Sequence, residues 1–261
     1  MSQDTAALAA SFLDLHRARD LLTVVNVWDV VSARVVADVP GTTALATASH
    51  SIAASLGYED GEHIPRDEML AAVGRIVRAT ELPVTADLES GYGDPGDTVA
   101  RAVDLGVVGA NIEDGMRPLP EAVRAVEAVM AAAESAGVPD FVLNARTDAF
   151  VRTADRSPQE CLDEAVARGR AFLDAGAPCV FVPRVTERAH VEALVDALGS
   201  QRLTLIEVPG SLPHAELEQL GVARVSYGPW SQRVALTALQ QLVERVVDGS
   251  GALPEDVRAL T

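Results

Sequence analysis

Short apolar runs alternate with segments of helical periodicity along nearly the whole chain, and this alternation constrains the fold more than any other feature. The eight runs lie at 22–27, 42–47, the start of 83–94, 107–112, 141–145, 179–182, 203–208 and 222–226. Strand–helix alternation over roughly 250 residues is typical of the (β/α)8 barrel. An open doubly wound sheet would alternate too, but eight units preceded by a helix favour closure.

Helix signals fill the intervals between the apolar runs. Residues 4–20 carry apolar residues at helical spacing behind Asp4, a residue suited to cap a helix. Further predicted helices cover 30–38, 66–80, 97–105, 119–136, 158–175, 187–198, 214–220 and about 230–247, whereas 57–62 is polar and irregular. We therefore predict one α/β domain over residues 1–261: a TIM-type (β/α)8 barrel with an N-terminal helix and a C-terminal helical extension.

Composition limits the partners of the chain. It has 38 acidic and 21 basic residues, a formal net charge of −17. Such a surface repels phosphate backbones and anionic membranes, so we expect neither nucleic acid nor a membrane as partner. Residues 1–20 lack the apolar core of a signal peptide, and Cys161 and Cys179 lack metal-ligand spacing. These features predict a cytoplasmic protein.

Two carboxylates end the third apolar run. On a strand, Asp87 and Glu89 would project from the same face because they are two residues apart. Neighbouring like charges repel, so we expect a cation between them, and a hard divalent ion prefers such oxygen ligands. An exposed acidic pair at a fraying strand end is the alternative interpretation.

Polar residues also follow most of the other runs. They are Trp28, Asp29, Thr47, Ser49, Glu113, Arg146, Arg184 and Glu207. In a (β/α)8 barrel the C-terminal ends of the strands build the active site, so these side chains are expected to meet there. Acidic ligands hold a divalent metal, and arginine binds a carboxylate or phosphate through two hydrogen bonds.

Residues 91–96 match the dinucleotide fingerprint G-x-G-x-x-G after a strand, with the acid Glu113 farther on. A nucleotide-binding oxidoreductase is therefore an alternative. It is disfavoured because Asp94 and Asp97 crowd the turn where a pyrophosphate needs positive potential.

Four ordered motifs carry a family resemblance. Residues 87–93 resemble the D-x-D/E-x-G-[FY]-G metal motif of the isocitrate lyase/phosphoenolpyruvate mutase superfamily. Residues 53–60 are similar to its A-S-L-G-x-x-D segment, 111–114 to its x-I-E-D strand end, and 145–149 to its A-R-T-D-A. The resemblance implies a barrel that binds Mg²⁺, or Mn²⁺, and a small 2-oxo or 2-hydroxy carboxylate substrate.

The resemblance also implies roles for individual residues. Asp87, Glu89 and Glu113 would serve the metal, the latter two through bound water. Arg146 would bind the substrate carboxylate, with Asp60 and Glu113 beside it in the catalytic set. The substrate-binding set would comprise Trp28, Thr47, Ser49, Asp87 and Arg146.

One loop departs from the family. Where isocitrate and methylisocitrate lyases carry K-[KR]-C-G-H, residues 115–120 read G-M-R-P-L-P, with no cysteine, lysine or histidine. We therefore expect a lyase acting through a pyruvate-like enolate, by C–C cleavage of the oxaloacetate or malate type or by decarboxylation. A phosphonate P–C mutase or hydrolase and a non-catalytic carboxylate-binding barrel are the alternatives.

Apolar residues in 234–247 and the tail, including Leu260, predict a homo-oligomer, a dimer or tetramer.

Overall fold

The computed structural model describes residues 5–251, 253–254 and 257–258, and in this part of the chain eight parallel strands close into a barrel. The strands are β1 (Leu22–Val27), β2 (Leu45–Thr47), β3 (Val84–Asp87), β4 (Gly109–Glu113), β5 (Val142–Arg146), β6 (Cys179–Phe181), β7 (Leu203–Ile206) and β8 (Arg224–Ser226). Each strand pairs in parallel with the next, and β8 pairs with β1. The predicted (β/α)8 barrel is confirmed; the assignment of residues 1–261 to one domain stays a prediction.

Helices connect the strands around the outside of the barrel. They are α1 (Thr5–Arg17), α2 (Val30–Ala37), α3 (Ser49–Ser55), α4 (Arg66–Val77), α5 (Pro95–Asp104), α6 (Leu119–Ser135), α7 (Pro158–Asp174), α8 (Arg188–Leu198), α9 (His214–Leu220) and α10 (Trp230–Val247). The predicted cap Asp4 lies outside the described residues.

Two local expectations about the second apolar run were wrong. The run from 42 to 47 becomes a strand only at Leu45, because Thr42 instead closes the end of α2 through a hydrogen bond from its Oγ1 to the Val36 carbonyl. Helix α3 was not predicted at all. It has seven residues, and its N-cap residue Ala48 makes no side-chain capping hydrogen bond, so no local signal marks its start.

The inside of the barrel is unusually polar beneath its C-terminal mouth. Residues two positions before the mouth-facing ones point inward one layer deeper, and several are polar and buried. Thr204 Oγ1 donates to Asn144 Oδ1 at 2.7 Å, and Asn144 Nδ2 donates to Asn111 Oδ1 at 2.8 Å. Arg224 is fully buried in the same layer. The hydrogen bonds among Thr204, Asn144 and Asn111 fix the strands that carry the mouth residues.

Helix α1 closes the other end of the barrel. Phe12 is fully buried, and its ring stands edge-on to His16 at 4.5 Å between centroids. A Cβ at Gly109 would lie 2.6 Å from the Val142 carbonyl oxygen and 3.1 Å from Phe12. Glycine at this position therefore allows the strand and α1 to approach each other closely.

Helix α10 leaves a row of large apolar side chains exposed. Gln232 is its buried residue, whereas Val234, Leu236, Leu239, Val243, Val246 and Val247 are each more than half exposed. No helix in the described part of the chain combines the length and apolar character needed to cross a bilayer. Leu260, the last residue of the predicted contact region, lies outside the described residues.

We expect the exposed face of α10 to join subunits, because contiguous apolar surface of this size typically marks an association site. Light scattering should give a homo-oligomer at micromolar concentration, and Leu239→Glu/Val243→Glu should shift it to monomer. The matched variant Ala238→Glu/Gln241→Glu adds the same charge on the other side of the same helix and should leave the oligomer intact. A monomeric wild type would contradict the prediction.

Candidate active site

A cavity of about 370 Å³ opens at the C-terminal ends of the strands. Residues at the ends of seven of the eight strands line it: Asn26, Asp87, Asn111, Arg146, Phe181, Ile206 and Ser226. Ser49, His50 and Asp60 also line it from the loop region after β2. The structure thus brings four of the predicted site residues, Ser49, Asp60, Asp87 and Arg146, to one cavity.

Asp87 is held in place by the start of α3. Ser49 donates to Asp87 Oδ2 from its backbone nitrogen at 3.1 Å and from Oγ at 2.8 Å. The carboxylate therefore caps the helix that Ala48 leaves uncapped. The Asp87 amide in turn donates to Thr47 Oγ1 at 3.0 Å, and Thr47 is fully buried. Thr47 positions Asp87 from beneath and does not line the cavity.

The expectation that Asp87 and Glu89 share one strand face was wrong. Strand β3 ends at Asp87, and Glu89 has a left-handed backbone with φ of 53°. The turn is fixed by Glu62, whose Oε1 accepts from the backbone nitrogens of Ser90 at 3.1 Å and Tyr92 at 2.7 Å. The buried carboxylate of Glu89 accepts hydrogen bonds from the Glu62 amide and the Tyr92 hydroxyl.

Arg146 is clamped between two carboxylates. Its Nη1 lies 2.8 Å from Glu113 Oε2, and its Nε lies 2.8 Å from Oδ1 of the fully buried Asp148. No hydrogen bond to Nη2 occurs within the described residues. Two of its three nitrogens are therefore oriented by the protein, and Nη2 keeps its donors for an anion.

A buried acid anchors the loops that follow β4 and β5. Asp114 Oδ1 accepts from the backbone nitrogens of Met116 at 2.9 Å and Asp148 at 3.0 Å. Its Oδ2 pairs with buried Arg168 at 3.1 Å. Asp148 therefore positions Arg146 directly, and Asp114 fixes the backbone that carries Asp148. Sequence reasoning missed both, although each follows a singled-out residue within two positions.

The remaining strand-end residues have separate places. Trp28 does not line the cavity, because β1 ends at Val27 and Trp28 packs against the hydrophobic core. Asp29 caps α2 by accepting from the Ser32 amide at 2.7 Å. Glu207 lies 3.3 Å from His214 and is also absent from the cavity lining.

Asn26 is a mouth residue that sequence reasoning missed. Its Nδ2 donates to the Thr47 carbonyl at 2.8 Å, and its Oδ1 accepts from the backbone nitrogens of Tyr227 at 2.8 Å and Gly228 at 2.7 Å. It ties β1 to the strand ends on both sides. Every second side chain of a strand points to the same side, and this alternation along β1 could have marked Asn26 as pointing into the barrel.

Two acids at this end of the barrel have raised pKa values. Burial raises the pKa of Glu89 to about 7, and the charges of Asp87 and Asp60 add to the shift. Burial also raises the pKa of Glu113 to about 7; Arg146 opposes that shift, whereas Asp148 and Asp87 add to it. Like-charged oxygen groups of this kind are the chemical setting that a hard cation stabilises.

The carboxylates of Asp87, Glu89 and Glu113 lie at the same end of the barrel but do not converge on one ion-binding position. Asp87 faces the 370 Å³ cavity, whereas Glu89 and Glu113 line an adjoining cavity of about 250 Å³. Within the described residues, no three His, Cys, Asp or Glu side chains converge closely enough to hold an ion directly. The donor chemistry of these acids fits a hard divalent cation at this end of the barrel.

A histidine–aspartate pair lies in the cavity as well. His50 Nδ1 is 3.5 Å from Asp60 Oδ2, and both side chains are about half exposed, at 44% and 54%. The pair belongs to α3 and the loop before α4, next to the strand end that carries Asp87. An imidazole held beside a carboxylate is an arrangement that can donate or accept a proton in general acid–base catalysis.

The family model described as phosphoenolpyruvate phosphomutase matches residues 12–247. The chain belongs to the isocitrate lyase/phosphoenolpyruvate mutase superfamily. Among members, 2-methylisocitrate lyase of Escherichia coli K12 is 32% identical over 188 residues, which are 67% of this chain and 61% of that protein. The 2,3-dimethylmalate lyase of Eubacterium barkeri is 27% identical over 250 residues, 90% of this chain and 84% of that one.

Solved structures agree with the family assignment. A phosphonomutase-like protein of Burkholderia cenocepacia J2315 superposes with a TM-score of 0.86 at 41% sequence identity. The match covers 93% of this chain and 99% of that chain. The superfamily barrel is therefore present with nearly its full set of elements.

Without divalent metal, the carboxylate repulsion predicts a pH dependence of stability. Folded Glu89 keeps its proton up to about pH 7, whereas the unfolded group releases it near 4.5. The stabilisation is therefore fully present below pH 4.5 and is lost as pH rises through 7. In EDTA, Glu89→Gln should gain stability over wild type as pH rises across this window, by about 1 to 2 kcal/mol once solvent screening is counted.

Urea unfolding at stepped pH measures this difference. Glu127→Gln, a change of the same kind on the exposed side of α6, should show no such trend with pH. A Glu89→Gln advantage that is flat or shrinks between pH 4.5 and 7 would contradict the assignment of a repelled, buried carboxyl.

Proposed function

We propose that the chain is a Mg²⁺-dependent carbon–carbon lyase, with Mn²⁺ as a possible substitute ion. Its substrate is a small 2-oxo or 2-hydroxy carboxylate that reacts through a pyruvate-like enolate. The observation that carries the proposal is that Arg146, oriented by Asp148 and Glu113, lines the same cavity as Asp87. Arg146, which can bind a carboxylate, and Asp87, which can bind a metal ion, therefore line the same cavity.

Arg146 would fix the substrate by its carboxylate. Its Nε and Nη1 already bind protein carboxylates, so the substrate would take the donors that remain on the outer edge. Glu113 prevents the guanidinium from swinging, since the two are 2.8 Å apart. Holding the reacting bond in one orientation is itself a large part of the rate enhancement.

Asp87 would hold the divalent cation, with Ser49 keeping its carboxylate pointed at the cavity. When bound, the cation would supply positive charge next to the oxygen that becomes the enolate oxygen. Glu89 and Glu113 would fix its water shell. The His50–Asp60 pair would deliver the proton that converts the enolate carbon into a product methyl or methylene group.

One observation favours a second candidate reaction, P–C bond chemistry. The solved relative with 41% identity is a phosphonomutase-like protein. In that case the P–C bond would break with its electron pair left on carbon as the same enolate, and the phosphoryl group would pass to water or to the enolate oxygen. Arg146 and Asp87 would keep their roles. A barrel that binds a carboxylate without turnover is the remaining alternative, because residues 115–120 bear no acid. A homo-oligomer and a cytoplasmic location stay predictions.

A metabolite panel with Mg²⁺, read by release of pyruvate or another 2-oxo acid, tests the proposal. We expect metal-dependent turnover of a 2-oxo or 2-hydroxy acid of the oxaloacetate or malate type. Isocitrate and methylisocitrate should remain essentially uncleaved, because a missing catalytic acid costs about a hundred- to ten-thousand-fold in rate. Metal-dependent binding without any turnover would favour the non-catalytic barrel.

Arg146→Lys provides the matched test of the carboxylate binder. Lysine keeps the charge but loses the planar pair of donors, so KM should rise by at least about tenfold. Arg152→Lys is the control, because Arg152 also pairs with Asp148, at 3.4 Å, but does not line the 370 Å³ cavity. Equal effects of the two substitutions would contradict the role given to Arg146.

A further inference from the structure

Arg224 is a cation enclosed in the barrel beneath the catalytic cavity. It begins β8 two positions before Ser226, which lines the cavity, so its side chain points inward one layer deeper. The residue is fully buried. Burial lowers its pKa to about 10, so the guanidinium still carries its charge at neutral pH. A charge taken out of water is costly unless something compensates it.

The described side chains do not supply that compensation. Nε, Nη1 and Nη2 of Arg224 are all buried without a hydrogen bond to any described residue. The charge of Asp87 acts on the guanidinium, but this carboxylate is bound by Ser49 at the mouth. Burial raises the pKa of Cys179 to about 12, although the charge of Arg224 opposes the shift. Cys179 is therefore a neutral thiol and cannot serve as the counter-ion.

A neutral histidine lies on the floor of the barrel below Arg224. His16 Nδ1 is 2.8 Å from the Phe12 carbonyl oxygen, which can only accept, so Nδ1 carries the hydrogen. Burial lowers the pKa of His16 to about 3, and the charge of Arg224 adds to the shift. The ring is therefore uncharged, and its buried Nε2 is an acceptor with no partner in the described part of the chain.

The hydroxyl of Thr85 faces the same interior. Thr85 lies two positions before Asp87 on β3, and its buried Oγ1 makes no hydrogen bond to a described residue. A Cβ at Gly109, its register partner on β4, would lie 3.2 Å from that oxygen and 3.1 Å from Phe12. Glycine at position 109 therefore keeps the space between the hydroxyl and the floor open.

Hydrogen-bond donors exceed acceptors in this interior. The guanidinium carries only donors, and the Thr85 hydroxyl adds one more. Asn144 Oδ1 is already used, since it accepts from Thr204 Oγ1 at 2.7 Å and from Cys179 Sγ at 3.3 Å. A ligand that accepts several hydrogen bonds and carries negative charge would satisfy the donors and neutralise the cation together.

We propose that Arg224 and the Thr85 hydroxyl bind a small monovalent anion of the halide class inside the barrel. Both side chains are enclosed, so the anion is small and is taken up as the barrel folds. It is a structural ion and not a substrate. The site lies one layer below the catalytic cavity and depends on neither the divalent metal nor the reaction proposed above.

Urea unfolding in chloride and in gluconate, at one sodium concentration, tests the site. An anion that binds only the folded chain stabilises it by mass action. For wild type, chloride at a hundredfold excess over its dissociation constant should raise the folded-to-unfolded ratio about a hundredfold. Arg224→Met should lose this dependence, and an apolar residue of similar size can replace a buried charge without loss of the fold. Arg124→Met on the exposed side of α6 should keep it.

Two further measurements decide the question if Arg224→Met does not fold. Thr85→Val keeps the shape but removes the hydroxyl, so it should need at least about twofold more chloride for the same gain. Crystals grown in bromide should show an anomalous peak in contact with the Arg224 guanidinium. Equal wild-type stability in chloride and gluconate, a chloride dependence that survives Arg224→Met or is unchanged in Thr85→Val, or ordered water alone at the guanidinium would overturn the site.

Discussion

The crowding of acidic side chains at the barrel mouth is the constraint on which the rest of the site depends. Glu89 is buried and Glu113 is partly buried, and their pKa values are raised to about 7 by burial and by neighbouring acids. Each acid is nevertheless fixed: Asp87 by Ser49, Glu89 by the Glu62 amide, and Glu113 by Arg146. Keeping repelling groups together has a free-energy cost that a bound cation would remove. This cost supports the proposal that a divalent cation binds at the mouth.

The barrel could be read from the sequence because it depends on a repeated local pattern. Parallel strands buried on both faces give continuous apolar runs, and their spacing by helices left few topologies. What could not be read were the features set by distant contacts. Helix α3 is capped by Asp87 from another strand, and the turn after Asp87 is held by Glu62 from the preceding loop. Neither contact leaves a signal in the segment that it shapes.

The same distinction between local patterns and distant contacts decides which residues of the candidate site could be predicted. Ser49, Asp60, Asp87 and Arg146 were found because strand ends and family motifs mark them, and they meet in one cavity. Asp114 and Asp148 were missed because their role is to position neighbours from buried sites. Arg184 was marked by its place after the sixth apolar run, whereas Arg233 on α10 reaches the cavity only through the closed fold. Strand-end patterns therefore identify some residues of the cavity, and the topology adds others.

The most direct test of this account is a set of thermal melts in EDTA and in millimolar Mg²⁺. At a hundredfold excess over the dissociation constant, the metal should stabilise wild type by about 2.7 kcal/mol, provided the unfolded chain does not bind it. Asp87→Ala should lose this gain, and its stability in EDTA should fall by no more than about 1 kcal/mol, because the lost cap of α3 is offset by relieved repulsion. Glu127→Ala on exposed α6 should keep the gain. If wild type and Asp87→Ala respond identically to Mg²⁺, the acids at the barrel mouth are solvated strand ends and the account is wrong.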